Sequence, residues 1–384
     1  MNPVSGLLPP PYGRRTLAEV VPSLLAALGA EEFDNALRIT PARSVCLLVV
    51  DGLGWQLLRD HAADAPFLAW LMPRAEPLVA GFPATTATSL ASLGTGLPPG
   101  LHGIVGYSFL VPGSGLINAV TWRAHVIIDP PDLREVVVPE QLQPAPTVLE
   151  RAQEAGIAVI LATPRYQEHS GLTRAVLRGG RFQPVRALGD LAATALSNGT
   201  GAFCYAYQGD LDMLGHRYGP GSLPWRLQLR QIDQLAASIA ERLAPGALLA
   251  VTADHGMVTV AEADRVDWDG EPTLRDGVDL IGGEARVRHL YAKPGAADDV
   301  VSRWRVRLGD RALIVTREEA IAAGWFGPAV ADHVRDRIGD VIVAAADSTG
   351  VVCRAAEPFE SRLVGHHGSF TADEQLVPFL LASG

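Results

Sequence analysis

The chain is short of cysteine and short of charge. Its 384 residues hold three cysteines, Cys46, Cys204 and Cys353. They are far apart, odd in number and set in apolar runs, and no Cys-x-x-Cys pair exists. A thiolate metal site is thereby excluded, and buried thiols are expected rather than disulfides. No basic stretch followed by an apolar run opens the sequence, so no secretory leader is expected. No apolar run is long enough to span a bilayer. The expectation is a cytoplasmic protein without a membrane partner. Charged residues make up 19% of the chain, against roughly 25% in an average domain. Acidic residues outnumber basic ones, 42 to 32, for a net charge of −10. Without a basic footprint, large nucleic acids are poor partners. The 48% hydrophobic content excludes intrinsic disorder.

What is present is a series of short apolar runs. Val45–Val50, Ile157–Ala162, Ala202–Tyr207 and Ala247–Thr252 lack polar alternation, which marks strands buried on both faces. Helical patterns such as Trp225–Leu243 lie between them. This alternation predicts an α/β fold, a doubly wound and mostly parallel sheet with helices on both faces. Residues 1–43 read as an N-terminal arm packed on the core. Residues 44–262 and 356–384 read as the main body, and 263–355 as a small insert or cap. Within the cap the pattern predicts a loop over 263–284, strands at Val287–Ala292 and Asp340–Ala344, a helix at Ala296–Leu308 and a strand-helix pair at Ala312–Ala323.

Acids and imidazoles collect where such a sheet binds ligands, at strand carboxyl ends. Asp51 follows the first strand, Asp212 and His216 follow the third, and Asp254-His255 follow the fourth. His366-His367-Gly368 lie near the end. Oxygen and imidazole ligands without thiolate suit zinc, manganese or iron, and dispersed ligands can assemble a two-metal centre. Phe82-Pro-Ala-Thr-Thr-Ala-Thr88 places hydroxyls at the start of a helical run, where free N–H groups favour a phosphoryl oxygen. Taken singly, each signal has a plainer reading: Asp51-Gly52 as a turn, Thr85 or Thr86 as a helix cap. Their conjunction carries the argument.

The blocks VVDGLG (49–54), FPATTATSLASLGTGLPPGLHGI (82–104), DMLGHRYGP (212–220), TADHGM (252–257) and GHHGS (365–369) occur in that order. Together they resemble the alkaline phosphatase superfamily, in particular its nucleotide pyrophosphatase/phosphodiesterase branch. The resemblance implies an alkaline-phosphatase-like catalytic core and a dinuclear zinc site, with manganese as the alternative. Asp51, Asp254 and His255 would bind one ion; Asp212, His216 and His367 the other. His366 is the competitor for His367, which directly precedes Gly as the family histidine does. Asp210 is a further carboxylate close to Asp212. The resemblance gives Thr86 the role of nucleophile and puts Thr85 where the family often has lysine. Tyr107 stands where that branch has an asparagine that holds the substrate phosphate. Both Thr85 and Tyr107 are expected to contact substrate.

The implied function is hydrolysis of phosphate esters by a phosphodiesterase or nucleotide pyrophosphatase, through a phospho- or nucleotidyl-threonine. A phosphomonoesterase or phosphonate hydrolase is the alternative, and a non-catalytic binding module the remote one. The expected partner is a small anionic phosphate ester. Arginines at 165, 174, 178, 181 and 186 could steer it, although a solvated basic face is the plainer reading. Tyr107, Phe109, Trp122 and Tyr166 could stack on it. His102 is expected to fix a loop rather than bind metal.

Overall fold

The structure, a computed structural model, describes residues 10–125, 129–197 and 199–384. Its two larger sheets use β1 (Ser44–Val50), β2 (Ala158–Pro164), β3 (Arg181–Val185), β4 (Ala202–Gln208), β5 (Ala247–Thr252), β6 (Val278–Glu284), β7 (Val287–Ala292), β8 (Ala312–Thr316), β9 (Val341–Ala345) and β10 (Phe379–Ser383). The central sheet has six strands in the order β10-β5-β1-β4-β2-β3. Its β1 to β5 pairings are parallel, and β10 closes one edge antiparallel to β5. The chain starts in the middle, runs out to β3, returns to β4 and crosses to β5. That is the doubly wound, mostly parallel α/β sheet the apolar runs predict. Every residue of β1, β4 and β5 is buried, because helices and loops cover both faces.

The helices that matter are α1 (Val20–Ala27), α2 (Thr86–Thr95), α3 (Asp210–Tyr218), α4 (Leu223–Ala240) and α5 (Ala297–Leu308). Thr16 and Glu19 form a capping box just ahead of α1, whose Val20, Val21, Leu24 and Leu25 join the main core. Residues 1–9 of the expected arm lie outside the described residues. On α4, Trp225, Leu229, Ile232, Ala236 and Ile239 form the buried stripe. Helix α2 is buried almost throughout. It packs so closely that a Cβ on Gly94 would stand 1.8 Å from the Val176 carbonyl oxygen.

The second sheet is antiparallel, in the order β6-β7-β9-β8. Along β9, Val341 and Val343 face a small core completed by Trp304 and Leu308 of α5. Ile342 and Ala344 face the main core. The sheet is therefore buried on both sides of β9, which is why β8 and β9 also read as continuous apolar runs. The loop expected over 263–284 is corrected: it contains a strand at Arg265–Asp267, a helical turn at Pro272–Arg275 and all of β6. Asp279 and Leu280 are exposed and a Gly-Gly pair follows, so the apolar signal of β6 was diluted below recognition. Two buried arginines pin this sheet to the C-terminal segment. Arg286 forks onto Glu374, and Arg288 onto Glu357.

Candidate metal centre and nucleophile

The carboxyl ends of β4, β1 and β5 lie side by side, and their next residues form the site. Gly52 turns the chain after β1 with φ +75°, and a Cβ there would meet Asp212 at 3.0 Å. Glycine thus lets the end of β1 touch α3. Asp212 and His216 are four apart on α3, one turn along the same face, with His216 Nε2 3.3 Å from Asp212 Oδ2.

Six residues fall into two groups. Asp51, Asp254 and His255 form one, Asp212, His216 and His367 the other, and within each the ligand atoms lie within 4.8 Å of one another. Each imidazole spends its Nδ1 proton on a backbone carbonyl: His255 on Gly256 (2.9 Å), His216 on Gly365 (2.8 Å), His367 on Ala84 (2.9 Å). That leaves every Nε2 a lone pair aimed inward. The Nε2 atoms of His216 and His367 face each other at 3.2 Å with no proton left to share. His255 and His367 stack with ring centroids 3.6 Å apart.

The carboxylates show the same one-sided pattern. Asp254 Oδ1 accepts the N–H groups of Gly52 and His255, and Tyr207 donates its hydroxyl to Asp51 Oδ2. Asp51 Oδ1, Asp212 Oδ1 and Asp254 Oδ2 are buried without a hydrogen-bond partner. Burial pushes the Asp51 carboxyl well above the ordinary range, and the charges of Asp254 and Asp212 push further. Burial drives His367 well below the usual imidazole value, reinforced by His255 and His216. Carboxyl oxygens and imidazole lone pairs gathered into two tight groups are a donor set suited to divalent cations, whose charge would offset the repulsion among the carboxylates.

Thr86 opens helix α2 with its Oγ1 3.2 Å from His255 Nε2. Neither threonine caps the helix in the simple sense. Thr85, at the N-cap, makes no side-chain cap bond, and its hydroxyl lies beside the Glu284 carboxyl. A cavity of about 320 Å³ opens onto Thr86, with Thr85, Tyr107 and Tyr166 among its lining. Asp210 bonds Gln208 instead of joining a triad. His366 turns its Nε2 to the Leu363 carbonyl and stays outside both groups. His102 is a buried structural residue: it bonds Ser92 and the Ile104 N–H, and burial lowers it to about 3. Phe109 and Trp122 are core side chains, not stacking surfaces. None of the five arginines between 165 and 186 lines the cavity. Arg174 pairs with Glu140, and Arg178 with Glu150.

The sequence reading missed Tyr207, Glu284, Arg288, Glu357 and Glu360, which also line this cavity. Tyr207 sits at the end of β4 inside an apolar run, and the others come from distant segments. Glu357 is held by Arg288 and by His125 at 2.9 Å. Burial raises its carboxyl, but these partners outweigh burial and bring it down to about 2. Its ionised form therefore contributes stability above the ordinary value of 4.5, lost as pH falls toward about 2. Glu357→Gln should cost about 3–5 kcal/mol near neutral pH, because Arg288 is left buried and unpaired. Denaturant melts near neutrality and in acid would check this, with the difference between variant and parent shrinking in acid.

A mostly parallel sheet with Asp/His triads at its carboxyl edge, beside a threonine that opens a buried helix, defines the alkaline phosphatase class of α/β proteins. Residues 45–370 match the type I phosphodiesterase/nucleotide pyrophosphatase family, and the chain belongs to that family. Among curated relatives, phosphopentomutase of Anaeromyxobacter dehalogenans (strain 2CP-C) is 32% identical over 158 residues, 40% of this chain and 38% of that protein. Human ectonucleotide pyrophosphatase/phosphodiesterase family member 7 is 39% identical over 79 residues, 18% of this chain and 17% of that protein. The chain thus spans about two fifths or less of the curated relatives it matches. In structure it resembles murine ectonucleotide pyrophosphatase/phosphodiesterase 5, with TM-score 0.66, 18% identity and 88% of each chain covered. It also resembles phosphonoacetate hydrolase of Sinorhizobium meliloti in complex with phosphonoformate, with TM-score 0.65, 19% identity, and 89% and 90% of the two chains covered. Among the described residues, no helix is long and apolar enough to cross a membrane.

Proposed function

We propose that this chain is a dimetal phosphodiesterase that transfers the phosphoryl centre of a small diester to Thr86 and then to water. The observation that carries the reading is the pair of triads, whose unpartnered oxygens and Nε2 lone pairs converge beside the Thr86 hydroxyl. Asp51, Asp254 and His255 would hold one divalent ion and Asp212, His216 and His367 the other. Three imidazoles among six ligands favour zinc, with manganese second. Such ions would ease ionisation of the Thr86 hydroxyl and offset charge on the phosphoryl oxygens.

The chain's own residues do the rest. Thr86 Oγ1 gives up its proton to solvent and attacks phosphorus, the P–O bond to the first alcohol breaks, that alcohol leaves after taking a proton from solvent, and a phosphothreonine diester remains. Water then attacks that phosphorus and loses a proton to solvent, the bond to Thr86 breaks, and Thr86 Oγ1 is reprotonated. Free N–H groups in the first turn of α2 donate to the oxygens as charge develops. The backbone carbonyls of Gly256, Gly365 and Ala84 hold the three imidazoles in one tautomer throughout. Tyr207 and the N–H groups of Gly52 and His255 keep Asp51 and Asp254 aimed.

Two named neighbours support the reading. A murine relative is described as inactive after a Thr→Ala change and in complex with AMP, and phosphonoacetate hydrolase is described in complex with phosphonoacetate. The test is a paired assay: bis-p-nitrophenyl phosphate should turn over faster than p-nitrophenyl phosphate. Faster monoester turnover would favour a phosphomonoesterase on the same core.

A further inference from the structure

The cavity in front of Thr86 has an unusual charge inventory. Beyond the two triads and the tyrosines, its ionisable lining is Glu284, Glu357, Glu360, Arg288 and His366, an imidazole that burial lowers to about 3. Arg288 is the one lysine or arginine among the lining residues, and it is spent. Its side chain is 1% exposed, forks onto Glu357 at 2.8 and 2.6 Å, and gives two further N–H groups to the Val351 carbonyl. No guanidinium or ammonium is left to meet a second phosphate. Glu360, in contrast, is only partly buried and has no cationic partner among the described residues. Its Oε1 accepts a hydrogen bond of 3.3 Å from the Tyr107 hydroxyl. Tyr107 is in turn braced by the edge of His125, with ring centroids 5.8 Å apart. Much of the remaining wall is apolar or aromatic: Val120, Val352, Phe359, Leu363 and Tyr166.

We infer that Glu360, positioned by Tyr107, is a specificity-determining residue that excludes a second negative group from the pocket. The substrate class is a phosphodiester monoanion whose substituents are neutral or cationic, in preference to pyrophosphates and monoester dianions. The physical basis is like-charge repulsion. A pyrophosphate bound at Thr86 brings further anionic oxygens into a pocket that offers a carboxylate and no free cation. A diester brings one charge, which metal ions held by the two triads would offset. This rests on the phosphodiesterase reading and narrows it, against the pyrophosphatase half of the family's description.

The experiment compares kcat/KM for bis-p-nitrophenyl phosphate, p-nitrophenyl phosphate and ATP in the parent, Glu360→Gln and Tyr107→Phe proteins. The parent should prefer the diester over ATP. Glu360→Gln should raise the ATP-to-diester ratio roughly tenfold, mainly through a lower KM for ATP. Tyr107→Phe should move the ratio the same way by less, since the carboxylate stays but is no longer fixed. Added salt should narrow the parent's discrimination and leave that of Glu360→Gln nearly flat. If Glu360→Gln changes all three substrates by one common factor, the residue is structural and the inference falls. If the parent hydrolyses ATP as well as the diester, the inference falls alone. If the metal-loaded parent hydrolyses no diester, the phosphodiesterase reading falls and takes the inference with it.

Discussion

Thr86→Ala should lose diester turnover by roughly a thousandfold or more, as removal of a nucleophile does elsewhere, while both metal ions stay bound. The reason is local. Thr86 Oγ1 is 3.2 Å from His255 Nε2, at the first position of a helix whose body is buried and fixed. No neighbour can take its place. Thr85 lies beside Glu284, and Thr88 is buried two residues further into the helix, about half a turn away. None of the six triad residues is changed, so metal content is the control that separates lost chemistry from lost structure. Thr86→Ser should recover part of the rate, because the oxygen returns on a side chain with more rotamer freedom. Full turnover in Thr86→Ala with metal intact would end the covalent mechanism.

The second large effect is loss of one ion at a time. His216→Ala should leave about one metal per chain and cut turnover more than about a hundredfold, since even outer-shell changes cost 10- to 100-fold. His216 suits the experiment because its side chain is 23% exposed and its removal leaves no sealed cavity. Asp254→Asn should empty the other position. The amide oxygen can still accept from Gly52 and His255, but the charge is gone. A chelator should remove both ions, abolish turnover and lower the melting temperature, because an ion held at a thousandfold excess over its dissociation constant contributes about 4 kcal/mol. Metal analysis after each change checks the assignment. Loss of both ions from either single variant would mean one shared site rather than two.

The legible part of this molecule was the part where one residue type has one job. Strands such as Ala247–Thr252 were readable to the residue, because a sheet covered on both faces demands a nearly unbroken apolar run. The triads were readable because their acids and imidazoles sit just past those runs or on motif spacing. The preference for His367 over His366 came only through the resemblance; in the structure His367 Nε2 faces His216 Nε2 and His366 Nε2 faces the Leu363 carbonyl. The cavity wall was not legible. Glu284 lies at the tip of a hairpin whose exposed positions read as loop, and Glu357 and Glu360 lie in a Pro- and charge-bearing stretch that looks like any surface turn. What makes them wall residues is the docking of the second sheet through Arg286 and Arg288, a contact no local pattern announces. The basic stretch 165–186 erred the other way. Its charge was visible, but Glu140 and Glu150 consume two of its arginines.

The central claim is a covalent relay through Thr86, and stereochemistry at phosphorus tests it most directly. A diester made chiral at phosphorus would be hydrolysed in isotopically labelled water and the product's configuration read. Two in-line displacements, onto Thr86 and off it, predict net retention. Net inversion would mean that water attacks the diester in a single step, and would contradict the account.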